Sequence, residues 1–303
     1  MAGTAIRTES LTKRYGRHRG IEDVNLVVAE GDVFGFIGPN GAGKTTTIRT
    51  LLNLLFPTSG TAEIFGKDVT VHGREIRRSI GYVPPEVKYY PRMGVRELLT
   101  YSASFHGITD MTRAWALADR LALDTRRRIE ELSSGNAKKV ALVQSMLHAP
   151  RLLILDEPTN GLDPLMQNRL AELLREENAA GTTVFFSSHV LGEVQRLCRR
   201  VAIIKEGRII ASEDVATLRQ KRLRKVSFTS ARPPGPADFP SGNARELVRE
   251  SEPSGLAHVR LLYAGDSNTL VRELAAFDIH QLRIEEPSLE EVFMHYYDGG
   301  AGT

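Results

Sequence analysis

Short apolar runs alternate with helical hydrophobic patterns from residue 1 to about residue 218. The runs Leu152 to Leu155 and Val184 to Phe186 contain no polar position, which is typical of strands buried on both faces of a sheet. This alternation predicts an α/β core. The predicted strands lie at 31–38, 78–83, 151–156, 182–188 and 200–210.

The segment from about residue 85 to residue 150 has a different pattern. Its stretches 94–107, 112–123 and 137–149 carry apolar residues at helical spacing, with no strand pattern between them. We therefore predict a helical insertion between two strands of the sheet.

The composition changes at residues 219–245, which are rich in Pro, Gly, Ser and Arg and indicate a domain boundary or a loop. We predict one domain over 1–218 and a small α+β domain over 219–303, ending in a disordered tail. A capping box of Ser288 and Glu291 would begin the last helix of this domain. Its other predicted elements are a strand at 257–265, a helix at 268–277 and a strand at 278–286.

Charge, cysteine content and hydropathy limit the classes of protein to which the chain can belong. The single cysteine, Cys198, excludes an intrachain disulfide and a Cys-rich zinc site, and we expect it in the core. No apolar run approaches the roughly 18 to 20 residues that cross a bilayer, and the N-terminus lacks a secretory pattern. We therefore expect the chain to stay in the cytosol. The net charge of +3 comes from Arg and Lys clusters, which are usually solvated, so nucleic acid or anionic lipid is a minor alternative.

The sequence "GPNGAGKTT" has the spacing of a phosphate-binding loop, with Gly38, four residues, then Gly43, Lys44 and Thr45. It follows an apolar strand and opens a helical pattern, as such a loop requires. Glycines let backbone N–H groups turn toward a β-phosphate, while Lys44 neutralises β- and γ-oxygens and Thr45 reaches Mg²⁺.

Acidic and imidazole side chains follow two further strands. Asp156 and Glu157 end the run "LLILDEP", where one carboxylate can hold Mg²⁺ and the next can polarise a water. His189 follows the strand at 182–188. Because carboxyl ends of strands gather at one edge of an α/β sheet, we expect His189 near Lys44 and Glu157.

The stretch "ELSSGNAKKVALVQSML" predicts the start of a helix at Ser133 to Asn136. The N-terminus of a helix attracts an anion, and no Asp or Glu lies among residues 132–140 to supply one. The sequence therefore raises the question of which anion, if not one of its own side chains, this helix end meets.

Together, the motifs "GPNGAGKTT", "LSSGN", "LLILDEP", "NGLD" and "SSH" resemble the ATP-binding subunit of ABC transporters over about residues 4 to 218. The resemblance implies a P-loop NTPase fold with a helical subdomain and an ATPase that needs ATP and Mg²⁺. It implies Asp156 and Thr45 as magnesium ligands, Glu157 as the catalytic base and His189 as the γ-phosphate switch. The residues matching its nucleotide-binding positions are Tyr15, Gly38, Asn40, Gly41, Gly43, Lys44, Thr45 and Thr46.

In this family two such domains face each other head to tail. The resemblance implies that Ser133, Gly135 and Asn136 bind the γ-phosphate of ATP held by the other chain, which would answer the question of the anion. Ser134 and Asn136 depart from the usual signature Leu-Ser-Gly-Gly-Gln. Asp163 matches the loop that contacts the opposite subunit, and we expect a homodimer or a pairing with a homologous ATPase subunit.

One departure affects a loop that approaches Mg²⁺ and the membrane subunit. The family usually has glutamine after "GY(L/V)P", whereas this chain has Pro85 followed by Glu86. Either Glu86 substitutes as a metal ligand or Mg²⁺ keeps an extra water.

The ending "EEPSLEEVFMHYY" is similar to the tail of subunits from drug and lipid exporters whose membrane permease is a separate chain. The resemblance therefore implies an export ATPase held at the cytoplasmic face of the membrane by an integral permease. One alternative is a soluble ABC-type ATPase acting on ribosomes or nucleic acid, although a single ATP domain and a mild charge make nucleic acid an unlikely partner. Another, suggested by Pro85, is a regulatory module that holds ATP without turnover.

Overall fold

The computed structural model describes residues 3–220, 223–232, 234–251 and 255–285. The chain forms two compact units, Met1–Glu213 and Asp214–Thr303, which are described separately. The first unit contains the strands β1 (Thr4–Tyr15), β2 (His18–Ala29), β3 (Val33–Ile37), β4 (Ser59–Ile64), β5 (Lys67–Asp68), β6 (Ile80–Val83), β7 (Leu152–Asp156), β8 (Thr183–Ser188), β9 (Arg200–Lys205) and β10 (Arg208–Asp214). Its helices are α1 (Lys44–Leu51), α2 (Val69–Arg78), α3 (Val95–Ser104), α4 (Thr112–Arg120), α5 (Ser134–Met146), α6 (Pro164–Ala179) and α7 (Leu191–Leu197).

The central sheet has the strand order β10-β9-β3-β8-β7-β6. Neighbouring strands from β9 to β6 run parallel, so their carboxyl ends lie at one edge. Every residue of β3, β7 and β8 is buried. This confirms the prediction of an α/β core, because a sheet covered on both faces needs continuous apolar strands.

A second, antiparallel sheet has the order β2-β1-β4-β5 and shares the main core with the central sheet. That core joins Ile6 of β1 and Ile48 of α1 to Phe34 and Phe185 of the parallel strands. The rings of Phe34 and Phe185 stack with their centroids 5.9 Å apart. The helix α1 that opens with Lys44 is thus anchored between the two sheets.

Helices α3, α4 and α5 lie in sequence between β6 and β7, where the helical insertion was predicted. Leu99, Leu117 and Val140, one from each helix, are buried. Arg113 of α4 forms two 2.6 Å hydrogen bonds to the carboxylate of Glu177 on α6, which connects the insertion to the rest of the unit.

The predicted strand at 200–210 is wrong in one respect. A turn at Glu206 and Gly207, with φ angles of 49° and 79°, divides it into β9 and β10. Two consecutive residues with positive φ are characteristic of the tight turns that join neighbouring antiparallel strands.

The second unit contains α8 (Val215–Gln220), β11 (Leu223–Ser230), β12 (Ala244–Ser251), β13 (Ala257–Ala264), α9 (Ser267–Leu274) and β14 (Ile279–Glu285). Its antiparallel sheet has the order β12-β13-β11-β14. Phe228, Tyr263 and Leu270 belong to its core. The predicted strand, helix and strand are confirmed, as far as residue 285, by β13, α9 and β14. The prediction of a boundary or loop over 219–245 is wrong in part, because β11 lies within that segment and β12 begins in it. The predicted capping box of Ser288 and Glu291, the last helix and the tail lie outside the described residues.

Candidate functional site

The loop between β3 and α1 brings backbone N–H groups to the carboxyl edge of the central sheet. Gly43 caps α1 with a φ of 113°, a conformation that side chains resist. A Cβ at this position would lie 2.8 Å from Cγ2 of Ile21, so both backbone angle and space require glycine. The loop therefore exposes the N-terminus of a helix, which favours bound anions.

Lys44 is buried in this loop, with its side chain 6% exposed. Its Nζ atom donates to the carbonyl oxygens of Gly38 at 2.5 Å and Pro39 at 3.2 Å, and lies 3.1 Å from Oε1 of Glu157. The ammonium is thus held at the mouth of the loop, where it can exchange these oxygens for those of a phosphate.

Glu157 follows β7 and has a left-handed backbone, with φ of 51°. Its N–H faces Ser187, whose carbonyl and hydroxyl oxygens lie 3.2 Å and 3.3 Å away. Its Oε2 atom lies 2.8 Å from Nδ1 of His189. One carboxylate therefore connects Lys44 with His189, and the expected proximity of these three side chains is observed.

Asp156 is fully buried at the end of β7. Its Oδ1 accepts a 2.7 Å hydrogen bond from the Ser187 hydroxyl, while Oδ2 is buried and has no hydrogen-bond partner of normal length among the described residues. Burial raises the pKa of Asp156, and the hydroxyls of Ser187 and Thr45 oppose that increase. A buried carboxylate oxygen beside a hydroxyl suits a hard divalent cation.

A cavity of about 310 Å³ is lined by Lys44 and Glu157, whereas Asp156 and His189 do not line it. Tyr15 lines it and is 43% exposed, and Nζ of Lys13 lies 5.7 Å from the centroid of its ring. The cavity lining also includes Arg19 and Asn160, which the motif analysis did not place there, and Pro85 of the loop expected to approach Mg²⁺. Predicted nucleotide-binding residues in the lining are Tyr15, Asn40, Gly41, Gly43, Lys44, Thr45 and Thr46, and Gly38 reaches the site through its bond to Lys44.

Ser133, Gly135 and Asn136 lie at the N-terminus of α5 and do not line this cavity. The exposed Ser133 caps the helix by accepting a 3.3 Å hydrogen bond from the N–H of Asn136. A Cβ on Gly135 would lie 2.6 Å from the carbonyl oxygen of Gly161, so the signature packs closely on the "NGLD" loop. Asp163, at the end of that loop, caps α6 by accepting from the N–H of Met166 at 2.9 Å.

Glu86 is also placed apart from the site. Its side chain is 84% exposed and lies 4.0 Å from Nζ of Lys88. Pro85 lines the cavity, while Glu86 does not. A carboxylate directed into solvent offers no ligand beside Asp156.

Comparison with known proteins identifies the family that uses this arrangement. A family model described as ABC transporter matches residues 21–160. The bacitracin transport ATP-binding protein BcrA of Bacillus licheniformis is 34% identical over 305 residues, which cover 98% of each chain. The chain belongs to the ATP-binding subunits of ABC transporters. This ABC subunit also matches the Nod factor export ATP-binding protein I of Paraburkholderia xenovorans (strain LB400), with 37% identity over 70% of its own length and 71% of that protein.

A solved structure of an ATP-binding subunit of an ABC transporter aligns with a TM-score of 0.68 and 31% identity, covering 72% of this ABC subunit and 92% of that chain. Members of the family bind and hydrolyse ATP, form dimers and work with membrane permeases. Within the described residues, no helix is long and apolar enough to cross a membrane.

Proposed function

We propose that this ABC subunit closes as a dimer around two ATP molecules and drives export through a separately encoded permease. The observation that carries the proposal is the contact of Glu157 with both Lys44 and His189 at the mouth of the phosphate loop. These groups supply phosphate binding, water activation and γ-phosphate contact in one place.

In the first step of ATP binding, phosphate oxygens would compete with the Glu157 carboxylate for the Lys44 ammonium. Phosphate oxygens entering the loop replace the carboxylate of Glu157, which lies 3.1 Å from Nζ. Because Glu157 then loses a cationic partner, its carboxylate becomes available to accept a proton from water. His189, 39% exposed, can contact the γ-phosphate from the same side.

Asp156 and Thr45 would hold Mg²⁺ with the phosphates. The buried Oδ2 of Asp156, without a normal hydrogen bond among the described residues, and the nearby Thr45 hydroxyl fit an oxygen-liganded cation. When bound, Mg²⁺ neutralises charge on the transferring phosphate. We assign no metal role to Glu86, because its side chain points to solvent.

The second half of each site would come from the partner subunit. Ser133 is exposed at the start of a 13-residue helix whose first turn has no acidic residue. A γ-phosphate from the facing copy supplies the missing anion, and the Ser133 hydroxyl and helix N-terminus bind it. Gly135 and Asn136 shape this end, and Asp163 faces the partner through the loop on which Gly135 packs.

The permease would dock on the helical insertion beside the loop that carries Pro85. A cavity of about 390 Å³ lies between this loop and α3. Tyr90, Tyr101 and Phe105 line it and are 73%, 52% and 66% exposed, which is unusual for aromatic residues of a free surface. The chemistry fits an apolar helix end from the cytoplasmic side of a membrane protein.

Isolation of the tagged full-length chain from native membranes, followed by mass spectrometry, tests the partner assignment. We expect a polytopic membrane protein in stoichiometric amount, and its loss in the double variant Tyr101→Ser, Phe105→Ser. The variant Val71→Ser, which removes another exposed apolar side chain, is the control. Recovery of ribosomal proteins or nucleic acid without a membrane protein would favour the soluble ATPase, which the named relatives do not favour.

A further inference from the structure

Lys138 is a buried lysine that none of the motif assignments includes. It lies in the first turns of α5 and is 4% exposed. Its Nζ atom donates to the carbonyl oxygens of Pro85 at 2.7 Å, Pro84 at 2.9 Å and Glu157 at 3.4 Å. An ammonium has three donors, and here each has a backbone acceptor.

These acceptors belong to segments that are far apart in sequence. Pro84 and Pro85 begin the loop after β6, Glu157 follows β7, and Lys138 itself belongs to the helical insertion. Two consecutive prolines have no N–H groups, so the backbone of this loop offers only acceptors at these positions. Lys138 supplies a donor to these two carbonyl oxygens from another element.

The contact with Glu157 occurs at a strained backbone position. A glutamate with φ of 51° keeps this conformation only where its surroundings enforce it. Ser187 holds the N–H side of Glu157, as described above, and Lys138 reaches its carbonyl oxygen. The same carbonyl oxygen also accepts from the N–H of Asn160 at 3.4 Å, and these contacts together hold the peptide groups on both sides of Glu157.

The charge of Lys138 is also matched to its surroundings. Burial lowers the pKa of its ammonium, and attraction to Asp156 and Glu157 opposes that decrease. Buried charges persist where opposite charges and hydrogen bonds compensate them. Lys138 and Lys44 thus flank the two buried carboxylates from different elements.

We propose that Lys138 is a positioning residue for ATP hydrolysis, which holds the backbone of Glu157 and ties it to the helical insertion and to the loop at Pro84 and Pro85. The inference rests on the proposed role of Glu157 as the base. A shift of α5, where the proposed partner phosphate binds, is then transmitted to the backbone of Glu157 in the same chain.

Steady-state ATP hydrolysis by the full-length chain tests this role. The variant Lys138→Met keeps the length of the side chain but removes its donors, and we expect kcat to fall about 10- to 100-fold with KM for ATP little changed. Lys139→Met, one position along the same helix, is the matched control and should retain its kcat. Lys138→Arg restores charge and donors and should recover most of the lost turnover.

A double-variant cycle separates this inference from the proposed function. If Lys138 acts through Glu157, then Lys138→Met should cause no further loss of residual hydrolysis in a Glu157→Gln background. Full activity of Glu157→Gln alone would overturn the proposed function itself. Loss in Glu157→Gln with normal kcat in Lys138→Met would overturn only the role of Lys138. Should Lys138→Met not fold, full kcat in Lys138→Leu, which also lacks a donor, would overturn it equally.

Discussion

The Nδ1 atom of His189 lies 2.8 Å from Oε2 of Glu157, where β7 and β8 end side by side. The contact joins a residue expected to sense the γ-phosphate with the carboxylate expected to activate water. Loss of the Glu157 charge would therefore change the electrostatic environment of both Lys44 and His189.

The variant Glu157→Gln should retain ATP binding but lose hydrolysis about 10²- to 10⁴-fold, because an amide cannot accept the proton of water. Affinity for ATP should rise, since the amide competes less well for the Lys44 ammonium. Turnover, nucleotide binding and sedimentation measure these effects, and a closed dimer should accumulate. A monomer at saturating ATP would contradict the proposed dimer. Glu86→Gln, which changes an exposed acid, serves as the control and should behave as the parent.

Ser133→Asp tests the anion site at the start of α5. Aspartate caps a helix as well as serine does, so the melting temperature should not change. Its negative charge would repel the partner's γ-phosphate, and we expect hydrolysis to fall about 100-fold or more while binding of ATP by the isolated chain remains. Ser133→Asn has the same size and no charge, and it should be far more active. If Ser133→Asp and Ser133→Asn lost hydrolysis equally, the larger side chain and not its charge would explain the loss, and the anion site would be contradicted.

The bond between Arg113 and Glu177 should contribute to stability. Glu177 has a side chain that is 9% exposed, so Arg113→Ala leaves a buried carboxylate without its guanidinium. We expect a decrease of about 1–3 kcal/mol in the free energy of unfolding, measured by urea denaturation. Arg120→Ala removes the partner of the exposed Glu176 on the same pair of helices and should cost less. A larger decrease in the free energy of unfolding for Arg120→Ala than for Arg113→Ala would contradict the greater importance of the buried pair.

His148 should make the protein less stable in acid. Its ring stacks on His106 with centroids 3.9 Å apart, and burial lowers its pKa to about 4, aided by His106 and Arg113. Between the unfolded value of 6.5 and about 4 the unfolded chain binds more protons, so the free energy of unfolding falls as pH decreases. His148→Phe keeps a ring for stacking and should flatten this dependence between pH 6.5 and 4.5. A slope that His148→Phe leaves unchanged would contradict this assignment.

Continuous apolar runs made the central sheet predictable, whereas the antiparallel sheet β2-β1-β4-β5 of the first unit was not anticipated. Thr8 and Leu11 of β1 both face the core, but a register shift lies between them and Ser10 has φ of 46°. Such a bulge adds a residue and moves later side chains to the other face, so no regular alternation remains. Asp23, with φ of 52°, lies within β2 in a similar conformation.

The candidate site also contains residues whose positions the sequence predicts and one, Lys138, whose position it does not predict. Lys44, Glu157 and His189 follow strands that are evident in the sequence, so their meeting could be predicted from the topology of a parallel sheet. Lys138 has no comparable signal, because a lysine in a helical pattern normally faces solvent. Its burial depends on carbonyl groups of Pro84, Pro85 and Glu157, which only the folded chain brings together.

The exposed N-terminus of α5, capped by Ser133, has a consequence for mixed dimers. In the proposed dimer every complete site takes its phosphate loop from one copy and this helix from the other. A cell that makes both normal and Ser133-altered chains would assemble mixed pairs with one damaged site each. In such a pair the damaged site is the one that uses the phosphate loop of the normal chain, so the altered chain acts on the ATP that its normal partner holds.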